Sequence, residues 1–306
     1  MHYQFISENC SEFSIAEMCE CFGLTRSGYY DWSERGPSHR KQADLTHMIR
    51  INELHKRAKG RYGHRPIYHH LKEEGIRCGR DRTLRLMKEL GIEGIQKKGF
   101  KPQGTNSRHN FGYAPNLLKE LKAPTQWDEV WVADTTYLKT EHGWCYLATV
   151  MDLYSRRIVG WSVSSKNNIE LVSQALRGAI LLRGKASLQG LIHHSDRGST
   201  YAAHKYERLL GRFGIRASMS AKGNCYDNAS MESFYGRYKS ASVRGRVFTG
   251  EEEARANAFE YIEIFYNRFR KHASLSYQSP IDFEEKNLPP MGGMITASLT
   301  ACSNNN

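Results

Sequence analysis

The sequence is short of the features that mark several protein classes. Its seven cysteines are scattered at Cys10, Cys19, Cys21, Cys78, Cys145, Cys225 and Cys302. None forms a CxxC pair and no Cys/His set has zinc-finger spacing, so neither a dithiol motif nor a zinc-built fold is expected. Reduced thiols are the simplest account of them. No run approaches the ~18–20 apolar residues of a membrane span. The N-terminus also lacks the basic start and apolar core of a secretory signal. Together these absences lead us to expect a cytoplasmic protein without a membrane partner. Acids are scarcer than bases: 32 Asp and Glu stand against 44 Lys and Arg, a net charge of +12. A basic balance of this size points to a polyanion, most often nucleic acid, although a merely basic soluble enzyme stays open on charge alone.

What is present is ordinary globular material. The chain has 306 residues, 40% of them hydrophobic and 25% charged, enough for two or three units. Basic residues concentrate between positions 56 and 122, with Lys56, Arg57, Lys59, Arg61 and Arg65 followed by Lys97, Lys98, Lys101, Arg108, Lys119 and Lys122.

Periodicity gives the organisation. Ile15, Met18, Cys19 and Phe22 recur on one helical face, Gly23 suits a stop, and Thr25 suits the cap of a helix beginning at Arg26. That is helix-turn-helix spacing, shared with any helical hairpin. A second such unit covers 62–95. Pro66 suits a first helical position and Gly75 a stop, and another helix runs from Asp81 to Leu90 with Gly91 at its end. Arg80, Arg82, Arg85 and Lys88 line that helix, and with Arg65 they are candidate DNA contacts; a solvated surface helix is the plain alternative. Residues 96–128 lose periodicity and read as a basic linker, in which Lys97 and Lys98 are candidate phosphate contacts.

From Val130 the pattern turns to strands, in VWVADTTYL, WCYLATVMDLY and RIVGWSV, then to a buried helix from Ile169, the strand GLIHHSD, a helix through Tyr206 and Leu210, and the strand IRASMS. Three sequential strands followed by alternating helix and strand predict an α/β fold with a mixed sheet covered by helices. A last helix begins near Thr249, whose spacing to Glu252 is that of a capping box. The segment after Met291 has no periodicity and is expected to be flexible.

Three acids stand out. Asp134 interrupts an apolar strand, where Asp is rare without partners. Asp196 ends the strand GLIHHSD, and strand ends in such sheets are where sites are built. Glu232, with thirty-five residues between it and Asp196, lies in NASMESFYGRYK, which reads as a helix. Gathered carboxylates repel, and an oxygen-only set suits the hard cations Mg²⁺ and Mn²⁺. Two such ions are a phosphoryl-transfer device. A chance grouping among 32 acids is the competing account. The strand histidines His193 and His194 are expected to face opposite ways, one to the core and one to the surface. Asp152 reads as a turn acid, and Asn224, Asp227 and Asn228 as turn or cap residues.

Several stretches carry a resemblance. WVADTTYL (131–138), HHSDRGSTY (193–201), SMSAKGNCYDNASMESFYGRYK (218–239) and YNRFRKHASLSYQSPIDF (266–283) resemble the blocks of the DDE insertion-sequence transposases. FSIAEMCECFGLTRSGYYDW (13–32), GRYGHRPIYHHL (60–71) and RLMKELGI (85–92) resemble their N-terminal region. The chain is most similar to the downstream (OrfB) product of the IS-three family, over about residues 5–285. Thr200, Ala202, Ala203 and Ala221 depart from that family's common pattern; the three acids do not.

The resemblance implies an RNase H-like, retroviral-integrase-like core preceded by an all-α helix-turn-helix DNA-binding region. It implies Asp134, Asp196 and Glu232 as catalytic metal ligands, two Mg²⁺ (or Mn²⁺) ions, and direct phosphoryl transfer without a covalent enzyme intermediate. It also implies double-stranded DNA as partner, both element ends and target, a homo-oligomer on DNA, and an upstream helix-turn-helix product as a possible partner. Lys239, seven residues after Glu232 and so on one helical face with it, is expected to reach the DNA being processed. The expected domains are 1–60, a second helix-turn-helix at 61–95, a basic linker at 96–124, the catalytic core at 125–285 and a flexible tail at 286–306. A non-enzymatic DNA binder using only residues 1–95 is the rival class, against which the presence of all three acids weighs. A tyrosine recombinase lacks its Arg/His/Tyr spacing here.

Overall fold

The computed structural model describes residues 2–36, 38–95, 113–119, 121, 123–184, 188–220 and 229–287. The chain forms two compact units, Met1–Gly94 and Ile95–Asn306.

The first unit is helical: α1 (His2–Asn9), α2 (Ile15–Cys21), α3 (Arg26–Glu34), α4 (His39–Arg57), α5 (His64–Glu73) and α6 (Arg80–Glu89). Ile6, Met18, Cys19 and Tyr29 make a small core among α1, α2 and α3. The Thr25 hydroxyl caps α3, accepting the Gly28 N–H at 3.1 Å, and Gly23 and Gly91 take the positive φ that ends α2 and α6. Helices α1 and α4 were not expected, because their apolar residues are too sparse to show a face. Pro66 is the third residue of α5 and not the first; N–H groups throughout a first turn lack helical partners, so proline is tolerated there too.

The second unit is built on β1 (Val130–Thr140), β2 (Gly143–Asp152), β3 (Ile158–Ser164), β4 (Ile192–Ser195) and β5 (Arg216–Met219), in sheet order β3-β2-β1-β4-β5. β1, β2 and β3 pair antiparallel, and β4 and β5 join parallel. The mixed sheet read from the strand pattern is therefore the sheet that forms. The helices are α7 (Ile169–Arg183), α8 (His204–Arg212), α9 (Ala229–Tyr238), α10 (Glu251–Phe259) and α11 (Pro280–Lys286), with wider π-type turns at Lys239–Val243 and Glu260–Tyr266.

Alternation along β1 divides the unit. Trp131 and Ala133 enter a core with Leu171, Val172, Ala175 and Leu176 of α7 and with Tyr206 of α8. Thr249 pairs with Glu253, its N–H donating at 2.8 Å, and not with Glu252, because α10 begins at Glu251 and Glu253 is the acid that reaches back. Residues 113–119, expected as linker, pack on this unit: the Leu117 N–H donates to Ser218 Oγ at 2.9 Å and Ala114 meets the core.

Both His193 and His194 are buried, contrary to the one-in, one-out expectation. Both faces of the sheet are covered at β4, by α8 over His193 and by the segment through Leu117 over His194 and Ser218. His193 Nε2 meets the Tyr206 hydroxyl at 3.0 Å and His194 Nδ1 meets Ser218 Oγ at 2.9 Å. Burial, followed by the neighbouring His194, pushes His193 down to about 3, so it is neutral.

Helix α7 packs tightly on β3 at Gly160, where a Cβ would lie 2.1 Å from the Ala175 carbonyl oxygen and 2.7 Å from the Ala179 nitrogen. Both are backbone atoms and cannot swing away. Gly160→Ala is expected to cost at least ~1–3 kcal/mol by prising α7 from the sheet. A thermal melt of the variant checks this, and an unchanged midpoint would show that the contact is slack.

Candidate active site

Asp134 sits in β1 directly opposite Thr149 of β2. Its carboxylate is half-buried, and Oδ1 accepts the Thr135 N–H at 2.7 Å. Asp196 follows the last residue of β4, which runs parallel to β1 with Ala133 beside Ser195. The parallel register therefore brings the two acids to the same level of adjacent strands. Asp196 Oδ1 accepts the Gly198 N–H at 2.9 Å. Among the described residues, neither carboxylate's second oxygen accepts a hydrogen bond.

Glu232 lies exposed in the first turn of α9, and Tyr235 governs its position. The Tyr235 hydroxyl donates to the backbone carbonyl of Asp134 at 2.7 Å and lies 2.8 Å from Thr149 Oγ1 and 3.2 Å from the Leu147 carbonyl. With its proton directed at a carbonyl, it accepts from Thr149. One phenol thus clamps α9 to β1 and β2 three residues from Glu232.

The electrostatics show the three acids in one neighbourhood. Burial, then Asp196, and further Glu232, drive the Asp134 carboxyl up to about 7, while the Thr135 N–H and Lys239 oppose the rise. The acids do not close into a ligand set: among the described residues, no three His, Cys, Asp or Glu side chains stand close enough to hold a metal ion. Mutual repulsion resists that closure, and an oxygen-only donor set around a carboxyl held near neutrality fits a hard divalent cation in chemistry.

Lys239 begins the wider turns that follow α9, so the regular seven-residue register with Glu232 does not run through to it. It nonetheless faces the site: Nζ lies 4.1 Å from the centroid of the Tyr137 ring on β1. Burial lowers the Lys239 ammonium, and Asp134 works against that.

The candidate DNA contacts of α6 divide. Arg82 Nε and Arg85 meet the two oxygens of Asp44 on α4 at 2.7 and 2.8 Å, and Arg85 also pairs with Glu89. These two guanidinium groups tie α6 to α4, which the sequence could not show because α4 was not expected. Arg80 and Lys88 are exposed on α6, as is Arg65 on α5. Lys97 and Lys98 lie outside the described residues, as do Ala221, Asn224, Asp227 and Asn228. Asp152 is fully buried, accepting from Asp128 N at 2.7 Å and from Ser155 N at 2.7 Å, so it is more than a turn acid.

Sequence reasoning missed Tyr235 and Tyr201, whose hydroxyl lies 3.1 Å from Thr135 Oγ1 beside Asp134. The signal was available for Tyr235: a tyrosine three residues from an acid on an apolar helix face needs a partner for its hydroxyl.

A five-stranded mixed sheet with acids on β1, after β4 and on α9 defines a class, the integrase-type strand-transfer core. The integrase core domain family matches residues 124–225, a second integrase core family matches 232–288, and an HTH-like domain family matches 41–100. Among relatives, the Insertion element IS600 uncharacterized 31 kDa protein of Shigella sonnei is 47% identical over 88% of this chain and 98% of its own length. Transposase InsF for insertion sequence IS3A of Escherichia coli K12 is 36% identical over 94% of this chain and 100% of its own. The BIV integrase catalytic core overlaps 52% of this chain and 95% of its own, at 17% identity and a TM-score of 0.38. The chain belongs to the IS3 family of transposases, and with its integrase core it is a polynucleotidyl transferase.

The displaced Asp134 carboxyl has a consequence for stability. Its unfolded value is 3.8 and its folded value about 7. Between those values the folded chain keeps a proton that the unfolded chain sheds, so stability falls as pH rises and the deficit is complete above about 7. Asp134→Asn removes the deficit. In chelator at pH 8 the variant is expected to exceed wild type by on the order of 1–4 kcal/mol, an advantage that disappears near pH 4. Melts across that range check it, and a variant less stable at every pH would contradict it.

Proposed function

We propose that this chain joins DNA strands at insertion-element ends using Asp134, Asp196 and Glu232 as the ligands of two divalent ions, Mg²⁺ or Mn²⁺. The observation that carries the reading is the Asp134 carboxyl, raised to about 7 by burial and by the two other acids. Such a group is poised to exchange its proton for a cation. Bound there, divalent ions would supply charge neutralisation at the attacking and leaving oxygens of a phosphodiester. The chain's own residues do the rest. Thr135 N–H and Gly198 N–H orient the two aspartates, Tyr235 holds α9 so that Glu232 faces them, and Lys239 offers its ammonium to a phosphate of the strand being processed. Attack by water or a 3′-hydroxyl at the element end, followed by attack of the freed 3′-hydroxyl on target DNA, needs no covalent enzyme intermediate. The helical unit, through Arg65, Arg80 and Lys88, reads the element end, and copies of the chain assemble on DNA. An upstream helix-turn-helix product is a candidate helper. Among the described residues no helix is long and apolar enough to cross a membrane.

Asp134→Asn, Asp196→Asn and Glu232→Gln are each expected to reduce joining of labelled end DNA by ~100-fold or more while binding changes little. Near-normal joining by any one of them would remove that residue from the ligand set. Chelation should abolish joining, and Ca²⁺ should support binding without joining, because its looser coordination misplaces the reacting oxygens. Lys239→Ala is expected to weaken joining and to make the salt dependence of binding shallower by about one unit, with Lys239→Arg partly tolerated. Joining and salt slope both unchanged in the alanine variant would deny Lys239 its phosphate.

A further inference from the structure

Two half-buried arginines of the second unit have acid partners. Arg157 and Arg183 both pair with Glu284, and Arg183 also with Asp128. Arg156 and Arg270, also half-buried, and the exposed Arg237 are different. Arg156, in the β2–β3 turn with a left-handed φ of 61°, donates to Ser230 Oγ at the start of α9. Arg237 lies seven residues beyond Ser230 and so on the same face of α9. Arg270 lies over the Tyr266 ring, 5.8 Å from its centroid. The buried His272 packs edge-on against that ring at 4.9 Å, and Phe234 of α9 does so at 4.8 Å. Tyr266 therefore gathers α9 and the segment after it around one point.

The cations there repel one another. Arg270 is the leading cause that lowers Arg237, ahead of burial. Burial, then Arg270, Arg237 and Arg156, hold His272 well below its usual value. Among the described residues, no carboxylate pairs with any of the three arginines. Two buried nitrogens, Arg270 Nε and His272 Nε2, have no hydrogen-bond partner. An uncompensated cationic cluster with unmet buried nitrogens costs stability, and an anion would offset that cost. Arg237 lies on the order of 140° around α9 from Glu232, so the cluster is separate from the candidate active site.

We propose that Arg156, Arg237, Arg270 and His272 form a second phosphate site, which takes the backbone of bound DNA away from the reacting strand. The proposal rests on the DNA-joining reading above. Planar guanidinium forks match phosphate oxygens bidentately, and a chain of net charge +12 in a transposase family meets that anion most abundantly as DNA.

The test uses the full chain, a random-sequence duplex, and the double variant Arg237→Gln/Arg270→Gln. The variant is expected to bind more weakly, by roughly tenfold at moderate salt, with the log–log salt slope shallower by about one unit. Its melting temperature without DNA should equal or exceed that of wild type, because repulsion has been removed. Inorganic phosphate should raise the wild-type melt more than the variant's. Arg237→Lys/Arg270→Lys should keep the slope. An unchanged slope in the glutamine variant, or a lowered melt marking the arginines as structural, would overturn the site and leave the joining reading intact. Failure of wild type to bind any duplex would overturn both.

Discussion

The Tyr235 hydroxyl is the contact on which the geometry of the second unit turns. It reaches the Asp134 carbonyl, Thr149 Oγ1 and the Leu147 carbonyl, so α9 is fixed to two strands at the level of the first acid. A single hydrogen bond contributes only about 0.5–1.5 kcal/mol. The value of this one lies in position. Glu232 precedes Tyr235 by three residues, Arg237 follows it by two and Lys239 by four. Rotating α9 about its axis would carry Glu232 from the aspartates, Lys239 from Tyr137 and Arg237 from Arg270 together.

The clamp holds because the far side of α9 is also packed. Its own Phe234 and Tyr238 pack against Tyr261 and Tyr266 in an aromatic layer, and polar locks attach that layer to the sheet. The Asn267 side chain accepts the Ile158 N–H at 3.0 Å and donates to the Ile158 carbonyl at 2.9 Å, replacing a strand partner at β3. Glu284 of α11 gathers Ser155, Arg157 and Arg183. Burial alone would raise the Glu284 carboxyl; Arg183 leads the partners that hold it below its usual range. Buried pairs of this kind add little net stability, but removing one partner typically costs about 3–5 kcal/mol. They therefore specify where the C-terminal segment docks more than how tightly.

Charge is distributed with the same economy. The three candidate acids share one neighbourhood, and Asp134 bears the cost. In the helical unit, Arg82 and Arg85 are occupied by Asp44, whereas Arg65 and Lys72 on α5 and Arg80 and Lys88 on α6 are exposed, Arg80 beside Asp81.

By itself the sequence determined the strands β1 to β5, the buried helix α7, the Thr25 cap and the positive-φ glycines, because alternation, helical periodicity and turn chemistry are local and survive in a single chain. It also marked Asp134 and Asp196, since an acid inside or at the end of an apolar strand is conspicuous without any coordinates, and Glu232 through the resemblance of its segment to a transposase block. Only the tertiary structure decided which residues meet. Helix α8 covers one face of β4 and the segment through Leu117 the other, which buries both His193 and His194. The α4–α6 packing turned Arg82 and Arg85 inward to Asp44, and the fold of the segment after α10 brought Arg270 and His272 to Arg237. These are long-range pairings whose partners lie tens of residues apart. Their physical basis is burial and charge in three dimensions, which no local pattern of residues records.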